Sequence, residues 1–201
     1  MSDGVAVSAH PDGLASECVM EIDQLPKRII LYPDPRLRQV CAPIREFDGQ
    51  TAALAQRMLE LMTEGNGVGL AGPQTGVCLR IFVANPTGEP GDAQVLINPV
   101  LTDLAGAVEA EEGCLSLPEI RVNVRRARRC RIQAQDVTGK RFEIEGEGLI
   151  ARIWQHETDH LDGRLIIDRM DATDRIANRK QITELEQRFA RSTKRMAKKS
   201  Y

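Results

Sequence analysis

The 201-residue chain has only three histidines, no CxxC pair, no internal repeat and no long apolar run. Each shortage excludes something. No apolar run approaches the roughly 18 residues of a membrane span, so no spanning helix is expected. The five cysteines (Cys18, Cys41, Cys78, Cys114 and Cys130) are odd in number and scattered, which argues against a disulfide framework. A net charge of −2 argues against nucleic-acid binding by the surface as a whole. Residues 1–26 carry Asp3, Asp12, Glu17, Glu21 and Asp23 but no Lys or Arg. That is wrong for a secretory leader and wrong for an Arg-rich transit peptide, so the expected location is the cytoplasm.

What is present is the composition of a soluble globular protein, 42 % hydrophobic and 28 % charged. The length suits one domain with a full core. Residues 1–26 lack periodicity and read as a flexible N-terminal extension. Residues 27–190 read as a single domain, and residues 191–201 as a basic C-terminal tail with Arg191, Lys194, Arg195, Lys198 and Lys199. Within the domain, Leu54, Met58, Leu61 and Met62 mark an apolar stripe that predicts a helix over Thr51–Gly65. Gly65-Asn66-Gly67 supplies its left-handed cap. Strands are expected at Leu79–Ala84, Gln94–Asn98, one long stretch near Val122–Val137, and Arg141–Glu145, with Thr138-Gly139 as a hairpin turn. A helix is expected over Gly146–Leu161 and a last one from near Thr173, with Ile182, Leu185 and Phe189 as its stripe. Strands scattered among three helices, without regular βαβ alternation, predict an α+β fold with antiparallel sheets around the Gly146–Leu161 helix.

Three segments carry chemistry. The first is His156-Glu157-Thr158-Asp159-His160, which uses two of the three histidines. Imidazoles four residues apart share a helix face, and the adjacent carboxylate sits beside them. That spacing suits a divalent metal with a base next to it, hence metal-assisted hydrolysis. It names neither a third ligand nor a substrate. The second is Gly67-Val68-Gly69-Leu70-Ala71-Gly72-Pro73-Gln74. It mimics a dinucleotide fingerprint, but it follows a helix instead of a strand and Pro73 interrupts it. It reads either as a plain tight turn or as a loop whose backbone approaches a ligand, with Gln74 offering an amide donor. The third is Glu111-Glu112-Gly113-Cys114-Leu115-Ser116. Cys114 alone reads as a small buried hydrophobe, although a thiolate would complete a two-histidine metal site.

Taken together and in this order, the three segments resemble peptide deformylase, the enzyme that removes the formyl group from new bacterial polypeptides. Its Gly-Φ-Gly-Leu-Ala-Ala-x-Gln loop matches Gly67 to Gln74, its Glu-Gly-Cys-Leu-Ser segment matches Glu112 to Ser116, and its Gln-His-Glu-x-Asp-His helix matches Gln155 to His160. Tyr32-Pro33-Asp34-Pro35-x-Leu37-Arg38 resembles the family's N-terminal stretch, so the likeness runs from about Lys27 to about Met170. One departure is Gly72, where the family has a second Ala; the smaller residue is expected to loosen the loop that aims Gln74. The resemblance implies Cys114, His156 and His160 as metal ligands, Glu157 as general base, and Gln74 with the Leu115 N–H as oxyanion donors. It implies Gln155 as a brace behind the ligands. Val68, Gly69, Glu112, Gly113, Arg121, Leu149 and Ile153 would lie in or near the substrate groove, with Val68, Leu149 and Ile153 around a methionine side chain. The implied cofactor is one divalent ion, Fe(II) in the cell, with Zn or Ni able to replace it. The implied partners are a nascent formyl-methionine polypeptide and, through the basic C-terminal helix, the ribosome, with the chain acting as a monomer. Two other readings stand beside this one: a peptidase of the HExxH type, which would need a later ligand although no His follows His160, and a non-catalytic ribosome-associated module.

Overall fold

The computed structural model describes residues 25–197. Most of the expected N-terminal extension and the last four residues of the tail lie outside the described residues. From residue 25 the chain is already tied down: Leu25 packs against a core cluster, and Arg57 Nε donates to Pro26 O at 3.1 Å. An extended arm follows, with a 3-10 turn at Pro35–Arg38 that Asp34 caps.

Helix α1 spans Gly49–Glu64. The Asp48 carboxylate accepts from the N–H groups of Gln50 and Thr51, satisfying donors that the first turn leaves free. Its predicted stripe is buried, and Asn66 takes the left-handed conformation just beyond its end, with φ 54°. The strands are β1 Gly69–Ala71, β2 Ile81–Ala84, β3 Gln94–Ala105, β4 Val108–Cys114, β5 Leu117–Arg126, β6 Arg129–Gln135 and β7 Arg141–Glu147. They form an antiparallel five-stranded sheet in the order β1-β2-β3-β6-β7 and a separate β4-β5 hairpin. Helix α2 (Leu149–Leu161) packs against β1, β2 and β7 and faces the hairpin. Trp154, its largest buried side chain, donates from Nε1 to Gln94 Oε1 at 3.1 Å. After a 3-10 turn at Ile166–Arg169, α3 (Ala172–Ala177) and α4 (Arg179–Ala197) close the chain, and α4 seats Leu185 in the core beside β5. The expected α+β architecture with antiparallel sheets around α2 is what forms.

Four local expectations need correction. The stretch near Val122–Val137 is two strands in different sheets, divided at Ala127-Arg128. Strand β4 was not foreseen, because its sequence is acidic and only Val108, Glu112 and Cys114 turn inward. Helix α2 starts at Leu149, three residues late, because Gly146 and Glu147 stay in β7 and Gly148 makes the turn at φ 66°. The last helix is two, broken at Asn178, whose amide holds the backbone of Arg121 on β5. Helix α4 also runs without interruption through residue 190, so the first part of the basic tail is the end of a helix.

Candidate active site

Three elements bring the site together. Helix α2 places His156 and His160 one turn apart, with ring centroids 5.0 Å from each other. The β4–β5 turn brings in Cys114, whose Sγ lies 3.3 Å from His160 Nε2. One ligand atom from each of Cys114, His156 and His160 fits within 4.8 Å of the others, the only such cluster among the described residues. The third element is the 3-10 turn Gly72–Thr75, which buries Gln74. Gln74 Oε1 accepts from the Ala71 N–H at 2.8 Å, which fixes the amide's orientation and turns Nε2 toward Cys114 Sγ and Ser116 Oγ, each 3.4 Å away.

Glu157 shares the helix but not the cluster's bonds. It is 4 % exposed, and its Oε2 has no hydrogen-bond partner. A buried carboxylate oxygen without a partner is costly, and Thr158 Oγ1 and His160 Nδ1 on the same helix are likewise without one. Burial pushes the Glu157 carboxyl up to about 7, against the pull of the His156 and Arg126 charges. That places it where a group can both take and return a proton near neutral pH. Gly69 makes room for it: a Cβ there would fall 2.3 Å from Glu157 Oε1.

The histidines are set up differently. Burial, then the charge of His156, pushes the His160 imidazole well below its ordinary value, so it is neutral and able to ligate. In His156, burial acts downward but is outweighed by hydrogen bonds to Cys114 and Glu112 and by the Glu157 charge, which raise it to about 10 in the metal-free protein. Its Nδ1 lies 3.1 Å from Glu112 Oε2, which leaves Nε2 for the cluster. Glu112 is itself gripped by Arg126 through two bonds of 2.7 and 2.8 Å and by Arg152 at 2.7 Å. Arg126 also reaches Asp159 at 2.8 Å, and Asp159 is held in turn by Arg169. Carboxylates that orient a ligating imidazole fix its tautomer and raise its basicity.

A cleft of about 560 Å³ opens over this wall. Val68, Gly69, Gln74, Glu112, Gly113, Cys114, Leu115, Arg121, Leu149, Ile153, His156 and Glu157 all line it. Of the other two expected site residues, His160 sits behind Cys114 at the floor, 1 % exposed. Gln155 points to the far side of α2, where its amide bonds the Ala127 backbone and Ala151 O instead of any group in the Cys114–His156–His160 cluster. It ties α2 to the corner between β5 and β6. Glu112 does more than border the groove, since it orients His156.

Ser116, Arg126, Arg152, Asp159 and Arg169 are parts of the site that the sequence reading did not single out. A signal existed for Arg126: it falls in the inward phase of β5, after Ile120, Val122 and Val124, where an arginine requires buried partners.

Known proteins resemble this chain in sequence and in fold. A peptide deformylase of Alkalilimnicola ehrlichii is 45 % identical over 159 residues, covering 78 % of this chain and 89 % of that one. Peptide deformylase 1B, chloroplastic, of rice (Oryza sativa subsp. japonica) is 39 % identical over 196 residues, covering 94 % and 73 %. The crystal structure of Arabidopsis thaliana peptide deformylase 1B with an inhibitor superposes with a TM-score of 0.79 at 40 % identity, covering 83 % of this chain and 93 % of that one. With residues 26–176 also matching the polypeptide deformylase family as a whole, the chain belongs to that family.

Proposed function

We propose that this cleft removes the formyl group from the N-terminal formyl-methionine of nascent polypeptides, with a divalent ion held by Cys114, His156 and His160 and with Glu157 carrying the proton. Family membership makes the chain a deformylase; the residue roles are our reading. The observation that carries it is the unpartnered Oε2 of Glu157, buried beside a thiol and two imidazoles that can converge on one ion. The donor set fits such an ion. One soft thiolate and two imidazoles suit Fe(II), Zn or Ni, and three protein ligands leave a position open, as catalytic sites require. We take Fe(II) as the ion in the cell.

The ion, when bound, supplies Lewis acidity that lets a water ionise near neutral pH. Glu157 accepts the proton that this water loses. Attack on the formyl carbon moves negative charge onto the formyl oxygen, and Gln74 Nε2 and the Leu115 N–H donate to that oxygen. One such donor is worth about 2.7–4 kcal/mol in comparable sites. Glu157 then gives its proton to the amine nitrogen as the C–N bond breaks, and formate and the free N-terminus result. Gly69 and Gly113 bring the backbone close to the reacting carbon, which admits an acyl group bearing only hydrogen and excludes larger ones by contact. Val68, Leu149 and Ile153 supply apolar surface for the methionine side chain, and Arg121 lies at the rim.

Turnover of formyl-Met-Ala-Ser with release of formate is the test, with casein as the competing substrate. Formate release without casein cleavage is expected; casein cleavage without formate release would instead indicate a peptidase. Metal bound in full with neither activity would leave a non-catalytic module. We place the enzyme in the cytoplasm as a monomer, and among the described residues no helix is long and apolar enough to cross a membrane. The end of α4 presents Arg191, Lys194 and Arg195 to solvent, a surface we assign to ribosomal RNA. Deleting Arg191–Tyr201 is expected to leave peptide turnover unchanged and to abolish a salt-sensitive co-sedimentation with ribosomes. Unchanged co-sedimentation would remove the tail from that role.

A further inference from the structure

We propose that Cys41 and Cys78 are a disulfide-forming pair, a reversible modification site that joins the N-terminal arm to the loop behind Gln74. The two segments run parallel and meet in a bridge between Ala42 and Leu79. The Ala42 N–H donates to Cys78 O at 3.0 Å, and the Arg80 N–H donates to Ala42 O at 2.8 Å. Cys41 and Cys78 each come one residue earlier, and both belong to one buried cluster, Cys41 within it and Cys78 packed against it. Neighbouring strands stand about 4.8 Å apart, and a disulfide spans Cα separations of roughly 4.4–6.8 Å. Both sulfurs turn toward the same stretch of the arm. Cys78 Sγ lies 2.7 Å from Gln39 Oε1 and 3.8 Å from Arg36 O, and Cys41 Sγ lies 4.0 Å from Gln39 O.

A second observation comes from Gly72. A Cβ at this position would fall 2.7 Å from both Val77 O and Leu79 O. The glycine therefore lets the segment around Cys78 close tightly against the Gln74 turn. The pair also sits at a junction. The Cys41 N–H donates to Leu161 O at the end of α2, next to His160, at 2.9 Å. Cys78 lies two residues beyond Gly76, which caps the Gln74 turn. A bond between the two cysteines would staple three segments that meet behind the site.

The two thiols divide the reaction. Cys78 is partly exposed and Cys41 is 4 % exposed. Burial, then the nearby Cys78, pushes the Cys41 thiol up to about 12. Cys78 is thus the sulfur that meets an external oxidant, and Cys41 the one that resolves. With glutathione disulfide as oxidant, the Cys78 thiolate attacks one sulfur and one glutathione thiolate leaves. Cys41 then attacks Cys78 Sγ in the mixed disulfide, its proton passing to the second glutathione thiolate as that leaves. Two protein thiols are oxidised and one glutathione disulfide is reduced to two thiols. Disulfides of this kind in a reducing compartment are transient and respond to redox state.

The experiment uses the zinc-loaded enzyme, so that no iron is oxidised and Cys114 stays ligated. The protein is incubated with glutathione disulfide, digested without reduction and mapped by mass spectrometry. The expected result is a Cys41–Cys78 cross-linked peptide, lighter by two hydrogens than its two halves. Dithiothreitol is expected to reverse it, and the oxidised protein to melt several degrees above the reduced one. In Cys41→Ala, Cys78 is expected to accumulate as the glutathione adduct, while the reduced variant turns over formyl-peptide like the parent. Cys78 recovered from the parent only as that adduct, or joined to Cys18, would overturn the proposal.

Discussion

At the scale of single residues the site depends on close approach and on protons. Gly69 has a Cβ position 2.3 Å from Glu157 Oε1 and 2.9 Å from its Cδ. Gly69→Ala must displace the carboxylate, and a misplacement of this size typically costs about 10²-fold in rate. A loss of that order in formyl-peptide turnover, with metal content unchanged, is the expected outcome; Gly49→Ala, where nothing lies within 4 Å, serves as the control. A second prediction concerns loading. Hydrogen bonds to Cys114 and Glu112, outweighing burial, hold His156 at about 10 without metal, so the ring is protonated at neutral pH. An ion must displace that proton, so loading releases protons and affinity weakens as pH falls. Calorimetric titration of zinc in buffers of different ionisation enthalpy should show heats that track the buffer, and heats independent of the buffer would count against it.

Among elements, the site is a junction of α2, the β4–β5 hairpin and the Gln74 turn, and Glu112 is the pin of that junction. It is a β4 residue bonded to Arg126 of β5 and to Arg152 and His156 of α2. Burial pushes its carboxyl up, but hydrogen bonds from His156 and Arg126 outweigh this and hold it at about 2. Its folded value is thus below its ordinary 4.5, so its stabilisation is complete above that ordinary value and is lost as pH falls from 4.5 toward 2. Glu112→Gln is expected to cost about 3 kcal/mol at neutral pH, since it strands buried arginines. It should also flatten the acid limb of metal-free unfolding over that window; an acid limb as steep as the parent's would refute the assignment.

These inter-element contacts are what the sequence could not display. The α1 stripe, the α2 ligand spacing and the β6–β7 turn at Thr138-Gly139 were legible because each depends on residues near one another in the chain. Strand β4 was not legible, because Glu109 and Glu111 face solvent while Glu112 turns inward toward arginines 14 and 40 residues away. The division of the Val122–Val137 stretch was hidden for a similar reason. The chain changes sheets at Ala127, where the Gln155 amide from α2 holds the backbone on both its donor and its acceptor side.

At the scale of the whole molecule, the architecture brings three separated segments to one wall of a cleft. The five-stranded sheet carries α2 on its face, Arg152 of that helix bonds to the hairpin at Ala110 O and Glu112, and the arm locks the Gln74 turn through Ile30 N–H to Gln74 O at 2.8 Å. Family membership and fold follow from sequence and structure together; that Glu157 moves the proton is our proposal. That role is tested by Glu157→Ala, with metal content and formyl-Met-Ala-Ser turnover measured on the same anaerobically prepared samples. One divalent ion per chain is expected in parent and variant alike, with turnover in the variant lower by about 10²–10⁴-fold. A metal-loaded Glu157→Ala enzyme that releases formate at close to the parent's rate would contradict it.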